Sequence, residues 1–225
     1  MKPKKLIWIF GQTSDFSKEI IRQQQIRYND DVEIFGRDNF IFVDTQGCVE
    51  KVSRMKVPDY IIINQKCDFI PKNQPPHWNQ GIKHVNRDQD PYSWKWSYPI
   101  TVINTISHVL DEVQKQNRGR GGKKDINVIF ITSSITVTNK TPAYKFKYKD
   151  YISIRQMQQQ QWMACSKENM KIACMSPSYL DETNIEEYAG RVVNGVHTTI
   201  MDKHLLDLSS DSKNADNPIS WIKLS

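Results

Sequence analysis

Short apolar runs punctuate the chain at Lys5–Phe10, Val32–Phe35, Phe40–Val43, Tyr60–Ile63, Val128–Ile131 and Lys171–Met175. Runs of this length, apolar at nearly every position, predict strands buried on both faces, as a parallel sheet covered by helices on each side demands. Between them lie segments of mixed polarity, some apolar at i, i+3, i+4 and i+7. These predict helices at Ser17–Tyr28, Cys48–Met55, Ile100–Gln116, Tyr151–Lys167 and Ile185–Asn194. The alternation argues for an open, doubly wound, mostly parallel α/β sheet. Too few residues separate Val32–Phe35 from Phe40–Val43 for a helical crossover, so the usual second helix is expected to be shortened or missing.

Three segments break the alternation. Residues 71–98, rich in Pro, Asn, Gln, His and Trp, read as an irregular excursion over one sheet edge. Residues 117–124 read as a basic turn, and 184–217 as a short lid and mobile loop before a last strand at Ile219–Leu224. With 225 residues the chain is expected to form a single domain, 1–225.

Composition narrows the partners. No run approaches the roughly 20 apolar residues of a membrane span, and Met1-Lys-Pro-Lys-Lys5 enters the first strand without a cleavage signal, so a cytoplasmic product without a membrane partner is expected. Cys48, Cys67, Cys165 and Cys174 stand singly, and the histidines are scattered, which argues against a metal site or a disulfide framework. The net charge of +6 favours anionic partners, from nucleotides to nucleic acid, or simply keeps the surface solvated. The basic stretches at Arg118–Lys124 and Lys145–Lys149 read more readily as solvated loops than as a nucleic-acid site.

Chemistry concentrates at three places. Leu6–Ser17 reads as strand, turn and helix start, where a pyrophosphate rests on a helix N-terminus. Gly11 permits the turn, and Thr13, Ser14 and Ser17 offer hydroxyls or caps; with one glycine, a plain N-capped helix fits equally. Arg37 follows the second run, where it suits an adenosine 2′-phosphate, and Asp44 suits the adenine amine; a surface salt-bridged turn is the alternative. Tyr151 and Arg155 lie one helical turn apart, downstream of Val128–Ile131 and of Thr132-Ser133-Ser134. A cation on the same helix face lowers a phenol's pKa and makes it a proton donor or acceptor for carbonyl/alcohol redox chemistry.

In their order these features resemble the short-chain dehydrogenase/reductase superfamily over nearly the whole chain. Gly11–Ser17 is similar to its glycine-rich turn and Pro58–Gln65 to its Asp-apolar-Asn-Asn-Ala-Gly strand. Asn104 resembles its helical Asn, Ile129–Ser134 the strand ending in its Ser, Tyr151–Arg155 its Tyr-x-x-x-Lys helix and Met175–Thr183 its Pro-Gly-x-x-x-Thr segment. The resemblance implies a Rossmann-type NAD(P)-binding fold. Tyr151 would exchange the proton, Ser134 hold the substrate oxygen, Asn104 anchor a relay water and Arg155 bind the nicotinamide ribose. Gly11, Thr13, Ser14 and Phe16 would line the phosphates, Arg37 the 2′-phosphate, Asp44 the adenine and Asn64 the ribose floor, while Pro177 and Thr183 would close over the nicotinamide. Asp15 and Ser17 replace the family's later glycines, Gln65-Lys66-Cys67 its Asn-Ala-Gly, Ser178 the glycine after Pro177 and Arg155 its Lys. Two readings stand. One is a divergent oxidoreductase acting on the carbonyl or alcohol of an unknown small substrate, with NADP(H) ahead of NAD(H). The other is a catalytically inactive binding or assembly protein, with no cofactor. The resemblance also implies a dimer or tetramer.

Overall fold

The structure is a computed structural model, and it describes residues 4–11, 14–36, 38–64, 93–119, 124–131, 149–165, 169–176, 183–197 and 220–223. In chain order the elements are β1 (Leu6–Phe10), α1 (Asp15–Tyr28), β2 (Asp31–Phe35), α2 (Thr45–Ser53), β3 (Tyr60–Ile63) and α3 (Ser93–Gly119). They are followed by β4 (Ile126–Ile131), α4 (Lys149–Met163), β5 (Met170–Ser176), α5 (Ile185–His197) and β6 (Ser220–Lys223). One sheet holds the strands in the order β2-β1-β3-β4-β5-β6. The first five strands are parallel, and β6 runs antiparallel to β5 at the far edge.

The apolar runs become strands because successive side chains serve opposite layers. Trp8, Phe10, Ile61, Ile63, Val128 and Phe130 face the layer of α2, α3 and α4. Ile7, Ile9, Ile62, Ile129, Ala173 and Met175 face α1 and α5. Each fully buried aliphatic or aromatic side chain of this kind contributes roughly 1.5–3 kcal/mol before the entropy of ordering is subtracted. At the opposite end from the strand C-termini, Asp30 and Asp59 fix the start of β1 by accepting the Lys5 and Leu6 backbone N–H groups at 3.0 and 2.7 Å.

The expected doubly wound sheet is present, but one predicted strand is not. Phe40–Val43 forms turns, closed by Phe40 N–H on Gly36 O at 2.8 Å and Asp44 N–H on Ile41 O at 2.8 Å. Its apolar character has another cause. Phe40 and Phe42 are buried while Ile41 is 62% exposed, and the two buried rings pack against Phe10 and Phe35, with Phe40 at 5.5 and 5.1 Å between centroids. The aromatic group covers the end of the sheet, and the crossover helix that follows, α2, is a short nine residues.

Two boundaries also move. Residues 93–98, assigned to the excursion, belong to α3, which carries Pro99 in its interior, where a proline has no N–H to give to the carbonyl four residues earlier. Residues 65–92 lie outside the described residues. Of the segment read as lid and mobile loop, 185–197 is α5. Its Tyr188, Ala189, Val192, Val193 and Val196 are buried against the sheet and α1, so this part is core; 198–217 lie outside the described residues.

The α1–α5 contact is close. Gln23 Nε2 donates to Glu186 O at 2.9 Å, and Arg22 bridges Glu19 at 2.6 Å and Glu186 at 3.2 Å. A Cβ on Gly190 would lie 3.2 Å from Gln23 Oε1, whereas one on Gly195 would meet nothing within 4 Å. Gly190→Leu is therefore expected to lower stability by about 1–3 kcal/mol and Gly195→Ala to raise it by up to about 0.5–1 kcal/mol, read from urea denaturation midpoints. Equal behaviour of the two substitutions would contradict the packing.

Candidate functional site

In an open α/β sheet, ligands bind outside the C-terminal ends of the strands where the strand order reverses. Here the chain passes from β1 outward to β2 and then back across to β3, so the reversal lies between β1 and β3. Gly11 closes β1 at that point with φ 101°, a conformation costly for any residue with a Cβ, and its N–H is committed to Phe35 O at 2.9 Å. Gly11 thus shapes the turn and offers no donor to a ligand.

Three side chains from the flanking elements meet beside it. Ser14 is the N-cap of α1 and its Oγ accepts the Ser17 N–H at 3.1 Å. Asn64, one residue past β3, continues the β1–β3 ladder by donating its N–H to Phe10 O at 2.8 Å. Its Nδ2 donates to Ser14 Oγ at 2.7 Å and to Ser17 Oγ at 2.8 Å, and Ser14 Oγ donates to Ser17 Oγ at 3.0 Å. A hydroxyl has one proton and two lone pairs. The Ser14 hydroxyl therefore spends its whole capacity inside the turn. An anion at this end of α1 would meet backbone N–H groups and the helix dipole. Asp15, which would oppose it, is exposed and paired with Lys18 at 2.9 Å. Phe16 is 3% exposed within the α1 layer of the core, so only its backbone faces outward chemistry.

The remaining predicted residues distribute unevenly. Asp44 caps α2, its Oδ1 accepting the Gly47 N–H at 2.9 Å. Arg155 is buried on α4 and its Nη1 donates to Gln158 Oε1 at 3.0 Å. Position 151 lies one turn earlier on that helix face, with its side chain outside the described residues. Asn104 is not brought to that turn: its Oδ1 accepts from Gln161 Nε2 at 2.7 Å, and Gln161 stands ten residues beyond Tyr151, about 15 Å along a helix. Next to it, Trp162 Nε1 donates to Ile103 O at 3.0 Å. Asn104 therefore pins α3 to α4. Thr183 lies exposed in the turn before α5. Thr13, Arg37, Ser134 and Pro177 lie outside the described residues. Sequence reasoning missed the part played by Gln158 and Gln161 of the same helix, although spacings of three from Arg155 and ten from Tyr151 put Gln158 on the buried stripe with Ile154 and Trp162 and Gln161 at its half-buried edge.

Among the described residues, no three His, Cys, Asp or Glu side chains are grouped to hold a metal, and no helix is long and apolar enough to cross a membrane. Cys48 and Cys165 are buried free thiols. Burial, with Asp44 adding and Lys51 opposing, pushes the Cys48 thiol up from 9.0 to about 12.

No family model and no curated protein matches the sequence. The fold does match solved structures. A short-chain dehydrogenase/reductase from Vibrio parahaemolyticus is similar with a TM-score of 0.54 at 14% identity, over 84% of this chain and 91% of that one. A short-chain dehydrogenase from Burkholderia cenocepacia J2315, crystallised in complex with NADP, gives 0.54 at 12% identity over 87% and 85%. A small-chain dehydrogenase gives 0.52 at 12% identity over 88% and 94%. The chain has a short-chain dehydrogenase/reductase-like Rossmann fold.

The raised Cys48 value favours the protonated thiol in the folded state, so its stabilising contribution is complete below about pH 9 and is lost as pH rises from 9.0 towards about 12. Accordingly, folded protein at pH 9 should leave Cys48 unmodified by iodoacetamide, and guanidinium-unfolded protein should be alkylated there, as peptide mass spectrometry would show. Alkylation of folded Cys48 at the rate of a free thiol would contradict the burial.

Proposed function

We propose that the protein is a divergent NAD(P)-dependent oxidoreductase that interconverts a carbonyl and an alcohol on a small substrate. The observation carrying this reading is the crevice at the β1/β3 reversal, where a glycine at φ 101° leads into a capped helix N-terminus. These residues fit a dinucleotide's phosphates, since the turn approaches closely and the α1 N-terminus favours negative charge. Such a cofactor supplies or accepts the hydride. The neighbour from Burkholderia carries NADP in its crystal, and Arg37 after β2 favours the 2′-phosphate, so NADP(H) is placed ahead of NAD(H).

In this reading Tyr151 gives or takes the proton at the substrate oxygen, Ser134 hydrogen-bonds that oxygen, and Arg155 supplies the positive charge one turn along the helix. Thr13 and the backbone at Asp15 and Phe16 hold the phosphates, Asp44 lies towards the adenine, and Pro177 and Thr183 border the nicotinamide. This reading gives Asn104 no relay role, because its Oδ1 accepts from Gln161.

A second reading, a catalytically retired fold that binds without turnover, is favoured by that same Asn104–Gln161 bond and by the Arg155–Gln158 bond. Both commit to structure groups that the family uses in chemistry.

Thermal melting with NADPH and NADH tests binding. At a hundredfold excess over the dissociation constant the melting temperature should rise by about 5–10 °C, and no shift with either at millimolar concentration would overturn the proposal. With a carbonyl panel, Tyr151→Phe should keep that shift while losing about 10²–10⁴ in turnover. An unchanged shift with no turnover by wild-type protein across the panel would favour the retired fold.

A further inference from the structure

The geometry points to Asn64 as a positioning residue that locks the phosphate turn through Ser17, a role that rests on the dinucleotide reading for its purpose but not for its existence. Ser17 occupies the place where the resemblance calls for a glycine, and its side chain is fully buried. A hydroxyl buried at this point costs free energy unless it is paired. Here it is paired twice: Ser17 Oγ accepts from Asn64 Nδ2 at 2.8 Å and from Ser14 Oγ at 3.0 Å. The second amide proton goes to Ser14 Oγ at 2.7 Å. One amide group just past β3 thereby fixes two hydroxyls at the start of α1.

The direction of these bonds has a consequence for the ligand. Asn64 gives both Nδ2 protons to the serines, so Ser14 and Ser17 both act as acceptors towards it and are turned into the protein. Ser14 passes its own proton to Ser17, which leaves it no donor for an anion. The clamp therefore does by hydrogen bonding what missing side chains do in a glycine-rich turn: it holds the helix start against the sheet and keeps the hydroxyls out of the phosphate path. Asn64 acts on the ligand through the turn and not as the floor of a ribose.

A double-mutant cycle on the full chain without nucleotide decides whether the clamp exists. Asn64→Ala should lower the melting temperature by about 5–10 °C, Ser17→Ala by less, and the double variant by clearly less than the sum, because the lost partners are shared. Melting losses that add within about 1 °C would overturn the inference. Asn64→Asp provides the second readout. A carboxylate accepts from both serine hydroxyls, and its charge suits the N-terminus of α1. The variant should therefore stay folded while its fixed negative charge weakens NADPH at least tenfold in calorimetric titration. Asn64→Asp binding NADPH like wild type would also contradict a positioning role. If wild-type protein binds no NADPH, the dinucleotide reading fails, and the nucleotide-free cycle still decides the clamp.

Discussion

Every residue from Ile7 to Phe10 and from Ile61 to Ile63 is fully buried, and this two-sided burial governs the rest of the molecule. A parallel sheet that shows neither face to water needs helices on both. Crossovers between parallel strands are right-handed. The chain can therefore place α1 on one face and α2 on the other only by moving outward from β1 to β2 and then returning past β1 to β3. That reversal leaves a gap at the strand C-termini, and the crevice is its by-product. Core and site are one construction.

The gap is lined economically. β1 contributes a turn that only glycine makes cheaply, α1 contributes a positive helix end, and β3 contributes an amide that ties the two together. The tie depends on Asn64 lying one residue past β3, where its backbone still joins the ladder to Phe10. A carboxamide there is held in place by the sheet and meets Ser14 and Ser17 without reaching. On the other side of β3, the mostly apolar α3–α4 contact also carries polar bonds: Gln161 donates to Asn104, the Trp162 indole to Ile103 O, and Gln114 to the turn after α4. Polar pairs of this kind set register between helices, since a shift by one turn leaves each group unpaired.

The strands and helices were legible in the sequence because burial on both faces writes an uninterrupted apolar run, and helices between such runs are forced by topology. Phe40–Val43 shows the limit of that signal. Two phenylalanines covering a sheet end and a strand buried on both faces give the same four letters, and only the position of Ile41 in solvent separates them. At the site, Gly11 and Ser14 could be named because turn and cap chemistry is local, and Asn64 through the family resemblance. Their hydrogen-bond directions could not, because Asn64 lies 50 residues from Ser14. The bond from Gln161 to Asn104 was hidden for a related reason. A motif fixes a residue's place in its own helix, but the rotation and slide of α3 against α4 decide which turn it meets.

The central claim is that the β1/β3 crevice receives the phosphates of a nicotinamide dinucleotide. Amide chemical-shift mapping of the folded chain titrated with NADPH tests it most directly. The account predicts saturable shifts concentrated at Gly11, Asp15, Phe16 and Asn64. Saturable shifts that leave these amides unmoved, or a spectrum unchanged at millimolar NADPH, would contradict it.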